Sequence, residues 1–339
     1  MEAMTRRRVV PAAEEILGLY FRVLDHGFVS LIDYMGSDDT VLESARVSYG
    51  IGTKNGKDDR GLLRYMLKHN HISPFEQVIL RFHVKLPIFV ARQLIRHRTA
   101  SLNEYSMRYS LPFMQFYVPE PKDMGTQSKK NKQGRAEPVT AYQADAIQMK
   151  WRLLQREAVE LYELVTSKDV DLARELARIG LPLSIYTEWI WSMDMHNLMH
   201  FLCLRCDGHA QWEIQQYSNM KASIMRAVAP LSYEAWIDYQ FQARTFSRME
   251  MVLLRRMLNR VVMFDQPVLT RNMVEQATLP HAENLGMTKR EYEEFLAAFD
   301  QINTPDLYEK PADFKINIED AIPAEVLQQE ALASAPREL

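Results

Sequence analysis

Between Val78 and Leu86 the chain alternates, with Val78, Leu80, Phe82, Val84 and Leu86 on one side and Ile79, Arg81, His83 and Lys85 on the other. A period of two with one apolar side marks a half-buried strand. The same test applied along the chain reads residues 12–25 as a first helix and 28–36 (FVSLIDYMG) as a strand. Ser37-Asp38-Asp39 offers an N-cap for a helix to about Arg46, and a glycine-rich turn region follows through 57. Leu62, Leu63 and Met66 give helical spacing over 59–69, and Pro87 is placed as the first residue of the next helix, IFVARQLIRHR. Residues 121–138 are polar and basic with Gly and Pro, and read as a mobile insertion. A long helix is expected over about 139–167 and a short one over 170–178, stopped by Gly180 and Pro182. SIYTEWIWSM is β-rich, 195–206 and 209–228 are helical, and helix resumes from about 240 before an acidic, Pro-containing tail. No repeats are visible. Strands interspersed with longer helices, without regular βαβ spacing, predict an α+β class.

Length and composition narrow the classes. A chain of 339 residues buries a large core without disulfides or metals as staples. Its net charge of -3 gives no global pull toward nucleic acid or an anionic membrane, so any anion site must come from a local cluster. Two cysteines, Cys203 and Cys206, cannot build a secreted disulfide framework and fit a reducing cytoplasm. There is no signal-peptide core and no run of 18 apolar residues, so a soluble intracellular protein is expected, with neither membrane nor nucleic acid as partner.

The densest polar cluster is RHRTASLNEYSMRYS, residues 96–110. If SLNEYSMRYS is extended, Glu104, Ser106, Arg108 and Ser110 share one side without a single apolar residue. That describes the lining of a polar site better than a core strand. Arg supplies forked donors for phosphate, Ser a hydroxyl, and Glu an acceptor. From Arg92 to Arg108 four arginines stand against one glutamate, a local excess of three positive charges. A solvated, salt-bridged turn is the alternative reading of the same residues.

The segment fits RHRxxSxNExSxR at Arg96, His97, Arg98, Ser101, Asn103, Glu104, Ser106 and Arg108. In this it resembles the flavin-dependent thymidylate synthases. Three further blocks are similar to that family in the same order: ARVSYG at 45–50, HISPFEQ at 71–77 and LRCDGHAQWEIQQY at 204–217. The resemblance spans about residues 30–235. It implies an α+β fold with a mixed sheet and flanking long helices, in a catalytic domain over 28–240. An N-terminal extension (1–27) and a helical C-terminal extension with an acidic tail (241–339) would lie outside it.

The resemblance further implies reductive methylation of dUMP to dTMP, with 5,10-methylenetetrahydrofolate as carbon donor and FAD reduced by NADPH. It also implies a homotetramer whose active sites combine several subunits. His71, Ser73, Arg96, His97, Arg98, Glu104, Asp194, His196 and His200 match FAD positions. Gln93, Arg96, Glu104, Ser106, Arg108, Arg178 and Arg205 match the dUMP site. There are departures: Asp194 stands where Asn is common, Met107 replaces a small residue and would narrow the nucleotide site, and Gln77 stands where His is frequent.

Methylating C5 of uracil needs electron density pushed onto a weak nucleophile. One route adds a cysteine thiolate at C6, but the Pro-Cys-His setting of such enzymes is absent here. The family resembled uses no enzyme thiol. Arg205 is the residue expected to hold negative charge on the N3 and carbonyl side of the ring, as a stabiliser rather than a base. Taken alone, Arg205 reads rather as a helix-end charge paired with Asp207 or Glu213, and only the matching context LRCDGHAQWEI favours the site. Two other classes remain open on residue types. HxxxHxxCxxC suggests zinc, although His196 and Cys206 would lie about 15 Å apart along a helix, too far for one ion. Arginines interleaved with Tyr105 and Tyr109 suggest nucleic acid, against an acidic net charge and no recognisable binding fold.

Overall fold

Six strands join in one sheet, ordered β4-β7-β3-β2-β1-β8. In chain order the strands are β1 (Tyr20–Val23), β2 (Gly27–Met35), β3 (Ile79–Pro87), β4 (Ser101–Glu104), β5 (Gly125–Gln127), β6 (Arg135–Pro138), β7 (Tyr186–Asp194) and β8 (Ala321–Ile322). β5 and β6 form a separate two-stranded ribbon. The computed structural model describes residues 7–47, 58–129, 133–264, 270–285, 287–302 and 312–334. Most of the turn region expected at 45–57, including Ser48, Tyr49 and Gly50 of the ARVSYG block, lies outside the described residues.

β3 is the spine. It pairs with β7 along nine residues, from Ile79–Asp194 to Pro87–Tyr186, and with β2 on its other side. The side chains of Leu80, Phe82, Val84 and Leu86 are fully buried, as the period of two requires. All pairings between these strands are antiparallel, where a mixed sheet was expected. Among the described residues, parallel pairing is limited to the isolated bridge Leu17–Leu31. Among the described residues, β1 and β2 are adjacent in the chain and β2 and β3 are joined through helices, and no parallel βαβ pairing occurs.

The helices up to residue 236 are α1 (Pro11–Glu14), α2 (Asp38–Val47), α3 (Asp59–Lys68), α4 (Ile88–Leu94), α5 (Ala141–Thr166), α6 (Arg174–Ala177), α7 (Met195–Arg205), α8 (Trp212–Val228) and α9 (Pro230–Trp236). Their starts follow local chemistry: Asp58 accepts from Gly61 N at 2.8 Å to cap α3, and Thr140 with Gln143 forms a capping box on α5. α8 packs across β1 and β2. A Cβ on Gly27 would lie 2.0 Å from the Tyr217 hydroxyl, which instead donates to Lys85 O at 2.8 Å. Only glycine allows that approach.

Several expectations fail locally. The helix expected over 12–25 is one turn, after which Gly18 (φ 76°) and the strand β1 take over. Phe21 and Val23 bury on the sheet, and β-favouring residues prefer that packing to a helix. Pro87 ends β3 and caps α4 rather than starting it, and α4 stops at Leu94. The helix expected over 170–178 is confined to α6.

The chain divides between Trp236 and Ile237 and again between Asp313 and Phe314, unlike the boundaries expected at 27/28 and 240/241. Segment 314–334 belongs with the sheet: β8 pairs with edge strand β1, and Arg22 donates to both oxygens of Glu330 at 3.0 and 2.6 Å. An edge strand covered in this way is protected from pairing with another chain. Glu330 stands on the last helix, numbered after the three that follow. Residues 237–313 hold α10 (Arg248–Phe264), α11 (Arg271–Asn284) and α12 (Lys289–Ile302) around their own core of Leu253, Val274, Phe295 and Leu296. Helix α13 (Ala324–Ser334) closes the chain.

Candidate functional site

Helix α7 carries the first group of expected site residues. Asp194 ends β7 and caps α7, accepting from Asn197 N at 2.9 Å and Asn197 Nδ2 at 2.6 Å. A carboxylate is favourable at that helix end, so a structural task accounts for Asp where Asn is common. Met195 N donates to Val78 O at 2.7 Å, and the turn Phe75–Gln77 packs on α7. His71 and Ser73, both exposed, precede that turn by a few residues in the chain. His200 lies one turn further along.

At the other end of α7, Arg205 Nε donates to His97 Nε2 at 3.1 Å. Arg205 therefore pairs with neither Asp207 nor Glu213; Asp207 accepts from His209 N at 2.8 Å, and Glu213 is bound by Arg135. A guanidinium has no acceptor, so His97 must be the neutral tautomer protonated on Nδ1. Burial, helped by Arg205, His200 and Lys221, pushes His97 down to about 4. Phe201 meets its ring edge-on at 4.8 Å, and the His200 ring lies 6.1 Å away. Burial also lowers the Arg205 guanidinium below its ordinary value. Arg96 and Arg98, on either side of His97, are exposed, with no side-chain partner among the described residues.

The extended run expected over 101–110 stops at Glu104. Tyr105 N still donates to Glu188 O at 2.9 Å, but Tyr109 N and Ser110 N both turn back to Ser106 O. Met107 causes the break: it is buried with Phe116 and Ile185, an apolar gain that a straight strand would forfeit. Met107 contributes to the wall of the cleft described next, but its packing is on the core side.

Glu104, Ser106 and Arg178 nevertheless meet, in a cleft of about 540 Å³ also lined by Ile88, Tyr105, Glu175 and Leu183. Glu104 accepts from Thr187 Oγ1 at 2.8 Å. Arg178 Nε reaches the Glu175 carbonyl at 3.3 Å, and Arg108 pairs with the Glu175 carboxylate at 3.3 Å. Gln93, Arg96, Arg108 and Arg205 are not in its lining, so this cleft does not gather all the expected nucleotide residues.

Sequence reasoning missed a third group. A cavity of about 980 Å³, lined by Phe89, Tyr117, Trp151, Leu154 and Trp212, lies under the β5–β6 ribbon. Its polar wall is Glu213, buried, which accepts from Arg135, from Gln211 at 2.8 Å and from Tyr117 at 3.2 Å. Gln93 in turn donates to Gln211. The segment expected to be a mobile insertion is, over its described residues, a ribbon held by Arg135. The available signal was Gln211-Trp212-Glu213 inside the fourth matched block. Lys221 was missed too: fully buried, its Nζ lies 4.0 Å from the Trp191 ring centroid and 5.1 Å from that of Phe201, with no hydrogen-bond partner among the described residues. Among the described residues, no three His, Cys, Asp or Glu side chains gather to hold a metal, and no helix is long and apolar enough to cross a membrane.

Comparison with known proteins extends this picture. Residues 30–231 match the family described as Thymidylate synthase complementing protein. The chain is 44% identical over 301 residues to the flavin-dependent thymidylate synthase of Gluconobacter oxydans, covering 88% of this chain and 93% of that one. It is 44% identical over 310 residues to the enzyme of the same name from Rickettsia conorii, covering 88% of this chain and all of the relative. Among solved structures it is similar to the UMP/dUMP methylase PolB from Streptomyces cacaoi bound with 5-Br UMP. There the TM-score is 0.58 and the identity 31%, over 65% of this chain and 97% of the other.

Proposed function

The chain belongs to the flavin-dependent thymidylate synthase family, and on that premise we propose how its own residues methylate dUMP to dTMP. The carbon comes from 5,10-methylenetetrahydrofolate and the electrons from NADPH. FAD, when bound, supplies the hydride and the relay for the one-carbon unit.

The residues present suit an anionic dinucleotide: Arg96 and Arg98 are exposed and carry no ion pair among the described residues, which leaves their guanidinium forks open to phosphate. His71, Ser73, His196 and His200 would line the same strip, with His97 between the two arginines. Glu104 would act at the cofactor and nucleotide alike. Asp194 would help through the helix it caps rather than through its carboxylate.

The observation that carries the reading is Arg205 fixed on a neutral His97. With Nε committed to His97, the Arg205 guanidinium is held in place, and its two terminal nitrogens would serve a bound ring. A permanently charged fork held in a partly desolvated place stabilises negative charge on a pyrimidine without moving when the charge forms. Burial pushes Cys203 up to about 11 and raises Cys206 as well. Thiols kept protonated are poor nucleophiles, which supports a route without an enzyme cysteine. Two free cysteines also fit a reducing compartment such as the cytoplasm.

Gln93, Arg96 and Arg205 would meet the base side of dUMP, and Ser106, Arg108 and Arg178 its phosphate. Because the cleft holding Ser106 and Arg178 lacks the others, the reading needs residues from different copies of the chain, as in a homotetramer. Helix α5 leaves Tyr142, Met149, Leu154, Leu161 and Leu164 exposed, an apolar surface suited to subunit contact. The test is dTMP formation by purified protein given FAD, NADPH, methylenetetrahydrofolate and dUMP, with NADPH oxidation faster when dUMP is present. Protein that takes up no FAD at micromolar concentration would sink this reading.

A further inference from the structure

We propose that Arg135 is a positioning residue for nucleotide binding, acting through Glu213 and Gln211 to fix which end of the Gln93 amide faces the ligand. The place of Gln93 at the nucleotide site is the one premise borrowed from the proposed function. The rest follows from hydrogen-bond polarity. The two ends of a glutamine amide are nearly equal in shape, so only partners decide which end points where. An ionised carboxylate only accepts. Glu213 therefore requires the NH2 end of Gln211, which it meets at 2.8 Å. That leaves Gln211 Oε1 at the far end, and Gln93 must answer with its own NH2, as it does. Gln93 Oε1 is then the uncommitted end, and no donor among the described residues reaches it. The ligand group it suits is an N–H or O–H, such as the N3–H of a uracil or a sugar hydroxyl.

The whole sequence of donors depends on Glu213 presenting only acceptors in a buried place, with only 5% of its side chain exposed. Arg135 ensures that. Its guanidinium donates to Glu213 and to the Asp123 carbonyl, and lies 5.3 Å from the Trp212 ring centroid, so it is held on three sides. A buried carboxyl stripped of its counter-charge favours its protonated form. Such a carboxyl donates, so Gln211 can turn its oxygen inward and Gln93 its NH2 outward. The ribbon that carries Arg135 thereby gains a reason to be ordered over its described residues: it sets the polarity of a residue 42 positions earlier (135 minus 93).

The experiment is a double-mutant cycle on dUMP binding by the FAD-loaded full chain, read by calorimetry. Arg135→Met should weaken binding by about tenfold. In a Gln93→Ala background the same change should shift binding by less than about twofold, because its effect passes through that amide. Arg135→Lys, which keeps a cation beside Glu213, should recover most of the affinity. A tenfold loss that persists without Gln93, or normal binding by Arg135→Met, overturns the proposal. If Arg135→Met fails to fold, Glu213→Gln runs the same cycle with the same two outcomes. A wild-type protein that binds no dUMP would overturn both this relay and the functional reading beneath it; failure of the relay alone leaves wild-type binding intact.

Discussion

The Arg205–His97 pair and the Glu104–Ser106–Arg178 cleft belong to one unit, yet they are built on opposite terms. Arg205 ends an eleven-residue helix capped by Asp194 and anchored to Val78, just before β3, and its Nε is committed to His97 at 3.1 Å. The cleft rests on a turn. Its rim pair, Arg108 and Glu175, is half exposed on both sides, and among the described residues Arg178 finds only a backbone carbonyl. Charge that must stabilise a reacting ring is useful only if fixed beforehand. Charge that anchors a phosphate tolerates rearrangement, because any approach within reach of the fork forms the bond. The first region should therefore show its worth in turnover and the second in affinity.

Arg205→Lys is the sharpest way to break the first region. Lys keeps the charge but loses the planar fork and the Nε bond to His97. Turnover should fall by about two orders of magnitude, as when one aligned stabilising donor is lost. Flavin reduction by NADPH without dUMP should survive. Near-normal dTMP production would leave Arg205 a structural helix-end charge.

The second region is tested by Arg108→Ala. Loss of a charge-assisted bond to phosphate should weaken dUMP binding by about 2 kcal/mol, or roughly thirty-fold, while the flavin spectrum stays unchanged. Unaltered affinity in a calorimetric titration would remove Arg108 from the site.

His97 probes the fixed region through pH. The unfolded chain takes up its proton near 6.5 but the folded protein only near 4. Between those values the unfolded state binds more protons, so acid favours unfolding there. The contribution is whole above about pH 7, falls as pH drops through 6.5 toward 4, and then levels off. His97 is half buried, so screening trims the effect to about 1–2 kcal/mol. Denaturant unfolding of wild type and His97→Gln across that window should show a pH dependence that the variant lacks. Parallel curves would mean that His97 titrates normally.

How much of this was legible varied with how many residues carried each signal. β3 was readable because it repeats its period over five alternations, α5 because of its length, and β7 from its β-favouring residues, so no single side chain could change the outcome. The run after Glu104 was not, because one apolar residue, Met107, found Phe116 and Ile185 and bent the chain. Residues 12–25 contain apolar positions that satisfy both a helix and a short strand, and only the neighbouring β2 decides between them. In the site, Arg96, His97 and Arg98 stood out as a cluster along the chain. Arg135 and Glu213 did not: 78 residues separate them, and each alone reads as a solvated surface charge. Lys221 gave no signal either, since its partners are the faces of Trp191 and Phe201, which look like ordinary core residues in sequence.

The smallest expected effect concerns the rearrangement that the cleft needs. Arg108 must leave Glu175 to meet a phosphate, and half-exposed ion pairs of this kind are worth about 0–1 kcal/mol. Glu175→Gln keeps the side chain's shape while removing the competing charge and its repulsion of the ligand. Binding of dUMP should tighten by about two- to fourfold, with turnover at saturation unaltered, because Glu175 contacts Arg108 and not the α7 strip. Salt provides the control: screening weakens an exposed pair far more than a desolvated one, so the advantage of the variant should shrink as ionic strength rises. An Arg205 variant should show no such salt dependence in turnover. Equal dUMP affinity in wild type and Glu175→Gln at low salt would mean that Arg108 is already poised for phosphate, and that the two regions are alike in being set before the ligand arrives.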